Sequence, residues 1–311
     1  GSIRAGRLIA EGVQVHGLVR SAAEVPDVRA ALPAGVHLHV GDLESPRELA
    51  ALVHEAAPDE VYNLGGISSV AFSWAHPVQT GAVSGVGAVA VFEAAFLAQE
   101  ASGRAVRVVQ ASSAEMFGEP DRVPQDEGTA LRPLSPYGAA KAYAHQMAGV
   151  YRSRGLHVSA CILYNHESPR RPDTFVTRKI SQAAARIAAA GEGTLALGNL
   201  DARRDWGWAP DYVDALVRAV RHDEAGDYVV ATGVTHSVAQ FAAAAFARAG
   251  IADWERHVVV DPRFVRPADA TEVVGDPGRA REGLGWAPTV PFEEVVGRMV
   301  DHDVALLGES A

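Results

Sequence analysis

With a single cysteine, Cys161, in 311 residues, the chain has no partner for a disulfide and no cysteine pair for a zinc site. Cys161 lies in the apolar run HVSACILYN, where a free cysteine is normally a buried strand residue. Twelve histidines are spread along the chain, yet none stands in an HExxH or similar ligand spacing. His37 and His39 alternate on a strand pattern and so share a face, but two histidines make a weak ligand set. No structural or catalytic metal is expected. Positive charge is also scarce: 28 Lys and Arg against 38 Asp and Glu give a net charge of -10, which argues against a nucleic-acid surface. An anionic ligand would need a local basic pocket. No stretch approaches the roughly 18 consecutive apolar residues of a membrane helix. The start, GSIRAGRLIAEG, lacks the apolar core of a signal peptide, so a cytoplasmic protein without a membrane partner is expected. Internal repeats and low-complexity tails are lacking too.

What is present is enough apolar sequence, 48%, for a sizeable core, arranged in a regular rhythm. Short β-type runs, VQVHGLVR from Val13, VHLHVGD from Val36, EVYNLGG from Glu60, VRVVQASS from Val106 and HVSACILYN from His157, alternate with helical patterns. Segments such as Arg47 to Ala57 and Val83 to Gln99 space their apolar residues at three and four, as crossover helices do. The alternation predicts an α/β, doubly wound parallel sheet, whose ligands bind outside the carboxyl ends of the strands. Beyond Asn165 the rhythm changes to a basic, proline-bearing stretch, an Ala-rich helix from Phe175 to Ala190, and irregular segments rich in Trp, Pro and Gly. DYVDALVRAV and DYVVATG then read as a helix and strand returning to the sheet. The smaller second domain is therefore discontinuous: residues 1–165 and 207–235 form the first unit, residues 166–206 and 236–311 the second.

A dinucleotide-binding sheet normally opens with a strand and a glycine-rich turn whose amides meet a pyrophosphate at a helix N-terminus. Here GSIRAGRLIAEGVQVHGLVR suits the helix and second strand of that unit. Gly1 then stands where the last glycine of the turn belongs, or Gly1 and Ser2 are residues added to the chain. On either reading a central strand is lacking, and a sheet with that slot empty is expected to pack and hold cofactor poorly; a strand upstream of Gly1 is expected.

The strongest local signal is SPYGAAKAYAHQMAGVY from Ser135. Ser135 caps a helix, Pro136 suits its first turn, and a spacing of four puts Tyr137 and Lys141 on one face. A tyrosine is a poor base at neutral pH, but a lysine cation and a nicotinamide cation beside it favour the phenolate, which can take a hydroxyl proton as hydride leaves the carbon. About two dozen residues earlier, VRVVQA ends in Ser112, Ser113, Ala114 and Glu115. Ser113 can donate a hydrogen bond to the same hydroxyl, or simply cap the strand end. Glu115 can abstract a carbon-bound proton, or be a solvated loop charge, as most glutamates are. Arg20, directly after the second strand, stands where an NAD enzyme often carries an acid for the ribose hydroxyls, and so favours NADP.

QASSAEMFGE, SPYGAAKAYA, YNHESPRRPDTFVTRKI, LGNLDARRDWGWAPDYV and DPRFVRPADATEVVGDP together resemble the GDP-mannose 4,6-dehydratase branch of the extended short-chain dehydrogenases, from Gly1 to about Phe292. YNHESPRR is the most branch-specific of these segments. The resemblance implies a Rossmann domain with a tightly held NADP, a GDP-hexose substrate, and a homodimer or homotetramer. It makes Ser113 the hydroxyl of the catalytic set, Glu115 the base, and Tyr137 with Lys141 the catalytic pair. It places Asp42 and Leu43 against adenine and Asn63, Leu64 and Gly65 beside the cofactor. Asn165, Val176 and Lys179 fall to the nucleotide-sugar site, and Arg204 and Arg266 to a clamp on the diphosphate. Two guanidinium forks on one diphosphate also make chemical sense, although surface ion pairs are an equally common use of arginine.

The chain departs from the family at several places. NLGGISSV replaces NLGAQSHV, so Ile67 and Ser69 stand at its Gln and His positions. Ala114 replaces a polar residue, Asp269 a glutamate, and the double arginine after the second strand is reduced to Arg20 and Ser21. The resemblance implies dehydration of the hexose by internal hydride transfer from C4 to C6. A 4-epimerase or 4-ketoreductase needs Tyr137 and Lys141 but no base at C5, so Glu115 separates the readings. A non-catalytic binding protein is the third, favoured by a true absence of the first strand.

Overall fold

The computed structural model describes residues 2–264 and 270–309. Four parallel strands, Glu60–Asn63, Arg107–Ser113, His157–Leu163 and Asp227–Val230, lie side by side in that order. Their centres are runs such as Val108, Val109, Ala160, Cys161, Ile162 and Val229, all fully buried. Strands apolar on both faces need helices on both faces. One face is covered by Pro136–Ser153 and by the helical run beginning at Pro77, with Phe92, Ala95, Ala148 and Tyr151 packed on Val108 and Val158. The other is covered by Ala209–Arg221 and Gly278–Leu284, through Tyr212, Leu216, Ala219 and Leu284. Cys161 is the buried strand residue that its apolar run predicts, and burial pushes its thiol up, which makes it a poor nucleophile.

A second, two-stranded parallel sheet pairs Val15–Val19 with Val36–Val40. Among the described residues no strand joins it to Glu60–Asn63, so the parallel strands form two separate sheets. The helix Ser2–Ala10 bridges them: Ala5 and Leu8 pack on Val15, Val36 and Val217, while the Arg4 guanidinium lies over the Tyr62 ring at 4.5 Å. His37 and His39 do share a face, each stacked on His16 with centroids 5.1 and 5.0 Å apart. The His16 and His39 rings also meet edge to edge, His16 Nδ1 lying 2.8 Å from His39 Nε2 in a hydrogen bond whose donor depends on the tautomer. Residues Pro77–Ser102 match a membrane span in length and mean hydropathy, although Ser84 and Glu93 interrupt the apolar run. More than half of that stretch is buried inside the protein, where it serves as a core helix.

The remaining chain builds a separate core from the helices Val176–Ala190, Val238–Arg248 and Phe292–Glu309, with Ile180, Trp206, Phe241, Phe246 and Met299 at its centre. A mixed sheet of Thr235–Ser237, Arg203–Trp208 and Glu272–Val273, with Asn165–Glu167 alongside Trp206–Trp208, faces the first unit. A buried ion pair, Arg178 Nη1 to Asp303 Oδ1 at 2.6 Å, ties the last helix to Val176–Ala190, and the Ser181 hydroxyl donates to the same carboxylate at 2.7 Å. Removing one partner of such a pair leaves a buried charge and costs about 3–5 kcal/mol.

Candidate active site

The strand Arg107–Ser113 ends in the turn Ala114–Met116, which packs against the start of the helix Pro136–Ser153. Ser135 caps that helix as its sequence predicts, accepting from Gly138 N at 3.0 Å, with Pro136 in the first turn. Tyr137 and Lys141 consequently share the inward face, and both are buried. Lys141 Nζ donates to the Ala111 carbonyl at 2.9 Å and lies 5.9 Å from the centre of the Tyr137 ring. Ser113 Oγ accepts from Glu115 N at 3.3 Å and is near enough to the Tyr137 phenol to favour its ionised form. Ser113, Glu115, Tyr137 and Lys141 are thus brought together at one strand end.

Burial pushes the Tyr137 phenol above its ordinary value; Ser113 and the charge of Arg171 oppose this, and the charge of Glu115 adds to it. Burial also brings the Lys141 ammonium down to about 8. The sequence reading expects Lys141 to be the protein cation that favours the phenolate. Its ammonium donates to the Ala111 carbonyl, and Arg171 also acts on Tyr137, from a different segment. Arg171, the second arginine of SPRR, has no role in the sequence reading. It also lies 3.4 Å from the buried Glu167 carboxylate, which accepts from Thr177 Oγ1 at 2.7 Å. The basic doublet is the only sequence signal of it.

Around the strand ends the predicted cofactor residues adjoin one another. Asn63 donates to Gln110 Oε1 at 2.7 Å and accepts from Gly65 N at 3.2 Å, which shapes the turn. A Cβ on Gly65 would meet Leu43 Cδ1 at 2.7 Å, so glycine is what lets Leu43 lie against that turn. Asp42 accepts from Glu44 N at 3.0 Å, and Leu64 packs on the core behind the sheet. Ser2, Ile3 and Gly6 from the start of the helix Ser2–Ala10 line a cleft together with Ser168, Pro169 and Arg170. A helix N-terminus and an arginine lining one cleft are groups that suit a pyrophosphate, and a glycine-bearing turn such as Asn63–Gly65 permits close approach of a ligand. Arg20 is exposed at the strand end and paired with Glu24 at 2.8 Å. Gly1 lies outside the described residues, as do Arg266 and Asp269.

Of the predicted substrate residues, Asn165 pairs in register with Trp206, Val176 opens its helix, and Lys179 follows one turn later. Lys179 Nζ donates to Ala196 O at 2.6 Å and lies 3.6 Å from the Phe264 ring centre. Arg204 is buried and donates to the carbonyls of Arg203 at 2.7 Å and Ala270 at 3.0 Å. A diphosphate would compete with those carbonyls for both cations. Arg204 and Glu115, distant in sequence, line one narrow cleft with Leu134 and Ser135. Of the positions where the chain departs from its family, Ile67 donates through its amide to Ser84 Oγ at 2.9 Å. Ser84, which the sequence reading missed, sits in a π-turn, Gly81–Val86, and holds the loop that follows Asn63–Gly65.

This geometry has close counterparts. The family described as GDP-mannose 4,6 dehydratase matches residues 1–299. GDP-mannose 4,6 dehydratase 1 of Arabidopsis thaliana is 41% identical over 96% of this chain and 85% of its own length. The GDP-mannose 4,6 dehydratase of Homo sapiens is 38% identical over 99% of this chain and 89% of its own. Among solved structures, the UDP-glucose 4-epimerase of Thermus thermophilus, in complex with NAD, superimposes with a TM-score of 0.84 at 28% identity, covering 97% of this chain and 95% of that one. The fold is therefore the Rossmann type shared with sugar-nucleotide epimerases, while sequence identity over nearly the whole chain puts this protein in the GDP-mannose 4,6-dehydratase family.

Proposed function

We propose that this protein dehydrates a GDP-hexose, converting GDP-mannose to GDP-4-keto-6-deoxymannose. The observation that carries the reading is the meeting of Ser113, Glu115 and Tyr137 at one strand end, because the reaction needs an acid-base group for a hydroxyl and a separate base for a carbon-bound proton. The names and near-complete coverage of the relatives support the same substrate.

A nicotinamide dinucleotide, when bound, takes the C4 hydrogen as hydride and gives it back at C6. Tyr137 takes the proton of the C4 hydroxyl while Ser113 donates a bond to the same oxygen. The protein's own groups raise the Tyr137 phenol, so its ionisation draws on Arg171 and on the positive charge of the cofactor. The ketone formed at C4 acidifies the C5 hydrogen, and Glu115 removes it as a proton. Hydroxide leaves C6 and departs as water, its proton coming from Glu115 or an ordered water because Ala114 carries no acid. Tyr137 gives up the proton it took from the C4 hydroxyl to C5 as C6 is reduced, which returns Tyr137 and Glu115 to their starting states.

NADP rather than NAD belongs to this reading through Arg20, whose partner Glu24 is a surface ion pair that a phosphate can displace. Asn165, Val176, Lys179 and Arg204 are assigned to the nucleotide sugar. The division into a cofactor unit, residues 1–165 and 207–235, and a substrate unit, residues 166–206 and 236–311, rests on their separate cores. A cytoplasmic homodimer or homotetramer completes the reading. Mass spectrometry of products from GDP-, UDP- and dTDP-hexoses is the test. The expected result is loss of one water from the GDP-hexose; a product of unchanged mass would favour the epimerase reading, and a pyridine-nucleotide-free, inactive protein the binding-protein reading.

A further inference from the structure

Tyr137, Lys141 and His145 follow one another at intervals of four on the helix Pro136–Ser153 and so form one stripe. That stripe meets three consecutive residues of the neighbouring strand. Lys141 Nζ holds the Ala111 carbonyl at 2.9 Å, His145 Nδ1 lies 3.0 Å from Ser112 Oγ, and Tyr137 stands beside Ser113, which acts on its phenol. Two of these contacts concern groups of the proposed reaction. The middle one is as deeply placed, with Ser112 2% exposed and the His145 side chain 11% exposed, yet no step uses it.

The far side of the imidazole explains its orientation. His145 Nε2 lies 4.0 Å from Asp227 Oδ2, and Asp227 is itself paired with Arg152, two turns further along the same helix. A carboxylate on the Nε2 side favours the tautomer with hydrogen on Nε2, leaving the Nδ1 lone pair to accept from the Ser112 hydroxyl. Burial keeps the ring neutral near pH 7, consistent with an accepting Nδ1. Asp227 opens the edge strand Asp227–Val230, so the polar chain Ser112, His145, Asp227 and Arg152 ties the strand end to both the helix and the sheet edge.

We propose that His145 is a positioning residue, which through Ser112 fixes the strand end so that the adjacent Ser113 hydroxyl meets Tyr137 and the substrate oxygen. This rests on the reading of Ser113 and Tyr137 given above. It follows from the strand's covalent geometry: Ser112 and Ser113 are neighbours, and a small displacement of a reacting group is worth up to about a hundredfold in rate.

The test uses the intact enzyme with GDP-mannose. His145→Phe keeps the ring and removes Nδ1, and should lower kcat roughly ten- to a hundredfold while KM stays near that of the unaltered protein. His145→Asn returns an acceptor near the Nδ1 position and should recover most of the loss. Ser112→Ala should match His145→Phe, and the double variant should be no slower than either single one, because both remove the same bond. Additive losses, unchanged kcat in Ser112→Ala, or an Asn variant no better than Phe would overturn the proposal. If the Phe variant does not fold, the smaller Ser112→Ala change decides. Nitrogen NMR of labelled histidine supplies a readout besides turnover: the His145 Nδ1 resonance should show an accepted hydrogen bond that Ser112→Ala abolishes. If the unaltered protein turns over no nucleotide sugar, the functional reading fails, and the NMR result still decides whether the bond and tautomer exist.

Discussion

The Cα of Gly138 lies against the Glu115 backbone so closely that a Cβ there would overlap the Glu115 carbonyl oxygen and crowd Pro133. The first turn of the helix bearing Tyr137 therefore reaches the turn bearing Glu115 only because residue 138 has no side chain. Gly138→Ala must push the helix start and the Glu115 turn apart. The expected cost is about 1–3 kcal/mol of stability, as for other overpacked sites, with a kcat loss larger than a change elsewhere in the helix produces. Thermal unfolding and steady-state kinetics check both, and an Ala variant with unchanged kcat would show that this approach does not set the site.

Oxidation at C4 and proton removal at C5 call for different groups, so they can be separated. Glu115→Gln keeps size and removes basicity. The first hydride transfer should survive while elimination slows by roughly 10²- to 10⁴-fold, the range of a lost general base, and NADPH absorbance should accumulate. With substrate deuterated at C4, the unaltered enzyme should deliver the deuterium to C6 of the product. An undiminished rate in the Gln variant, or label that never reaches C6, would end the dehydratase mechanism and favour the epimerase or reductase reading.

Arg20 sits at the end of Val15–Val19 with most of its side chain exposed and, among the described residues, Glu24 as its ion-pair partner. Arg20→Ala should weaken binding of NADP more than of NAD, measured by calorimetry. Equal losses for the two cofactors would show that Arg20 does not read a 2'-phosphate.

His166 stacks on Tyr212 at 4.8 Å and hydrogen-bonds through Nδ1 to the Tyr164 carbonyl. Burial brings its pKa down to about 4, against an ordinary value of 6.5, with the Tyr164 carbonyl acting in the opposite direction. The unfolded chain thus binds a proton that the folded protein refuses between those values. The stability His166 allows is present above about pH 6.5 and is lost progressively as pH falls toward 4, by about 2–3 kcal/mol. His166→Phe retains the stack and should flatten this part of the curve of unfolding free energy against pH. The same slope in both proteins would place the acid sensitivity in other buried histidines.

Much of this architecture is legible in the sequence because it is local. The strand cores at Val108–Val109 and Ala160–Ile162, the cap at Ser135, and the shared face of Tyr137 and Lys141 all follow from apolar period, side-chain chemistry and helix pitch. The strands Val15–Val19 and Val36–Val40 were likewise legible, and among the described residues these two form a sheet apart from Glu60–Asn63. Which groups meet across long sequence separations was not. Only the tertiary structure put Arg171 within electrostatic reach of Tyr137, turned Lys141 onto the Ala111 carbonyl, and set Arg204 in the cleft of Glu115. Periodicity fixes the face a side chain presents, but charge interactions depend on distances between segments, and those distances are set by how the helices and the second unit pack on the sheet.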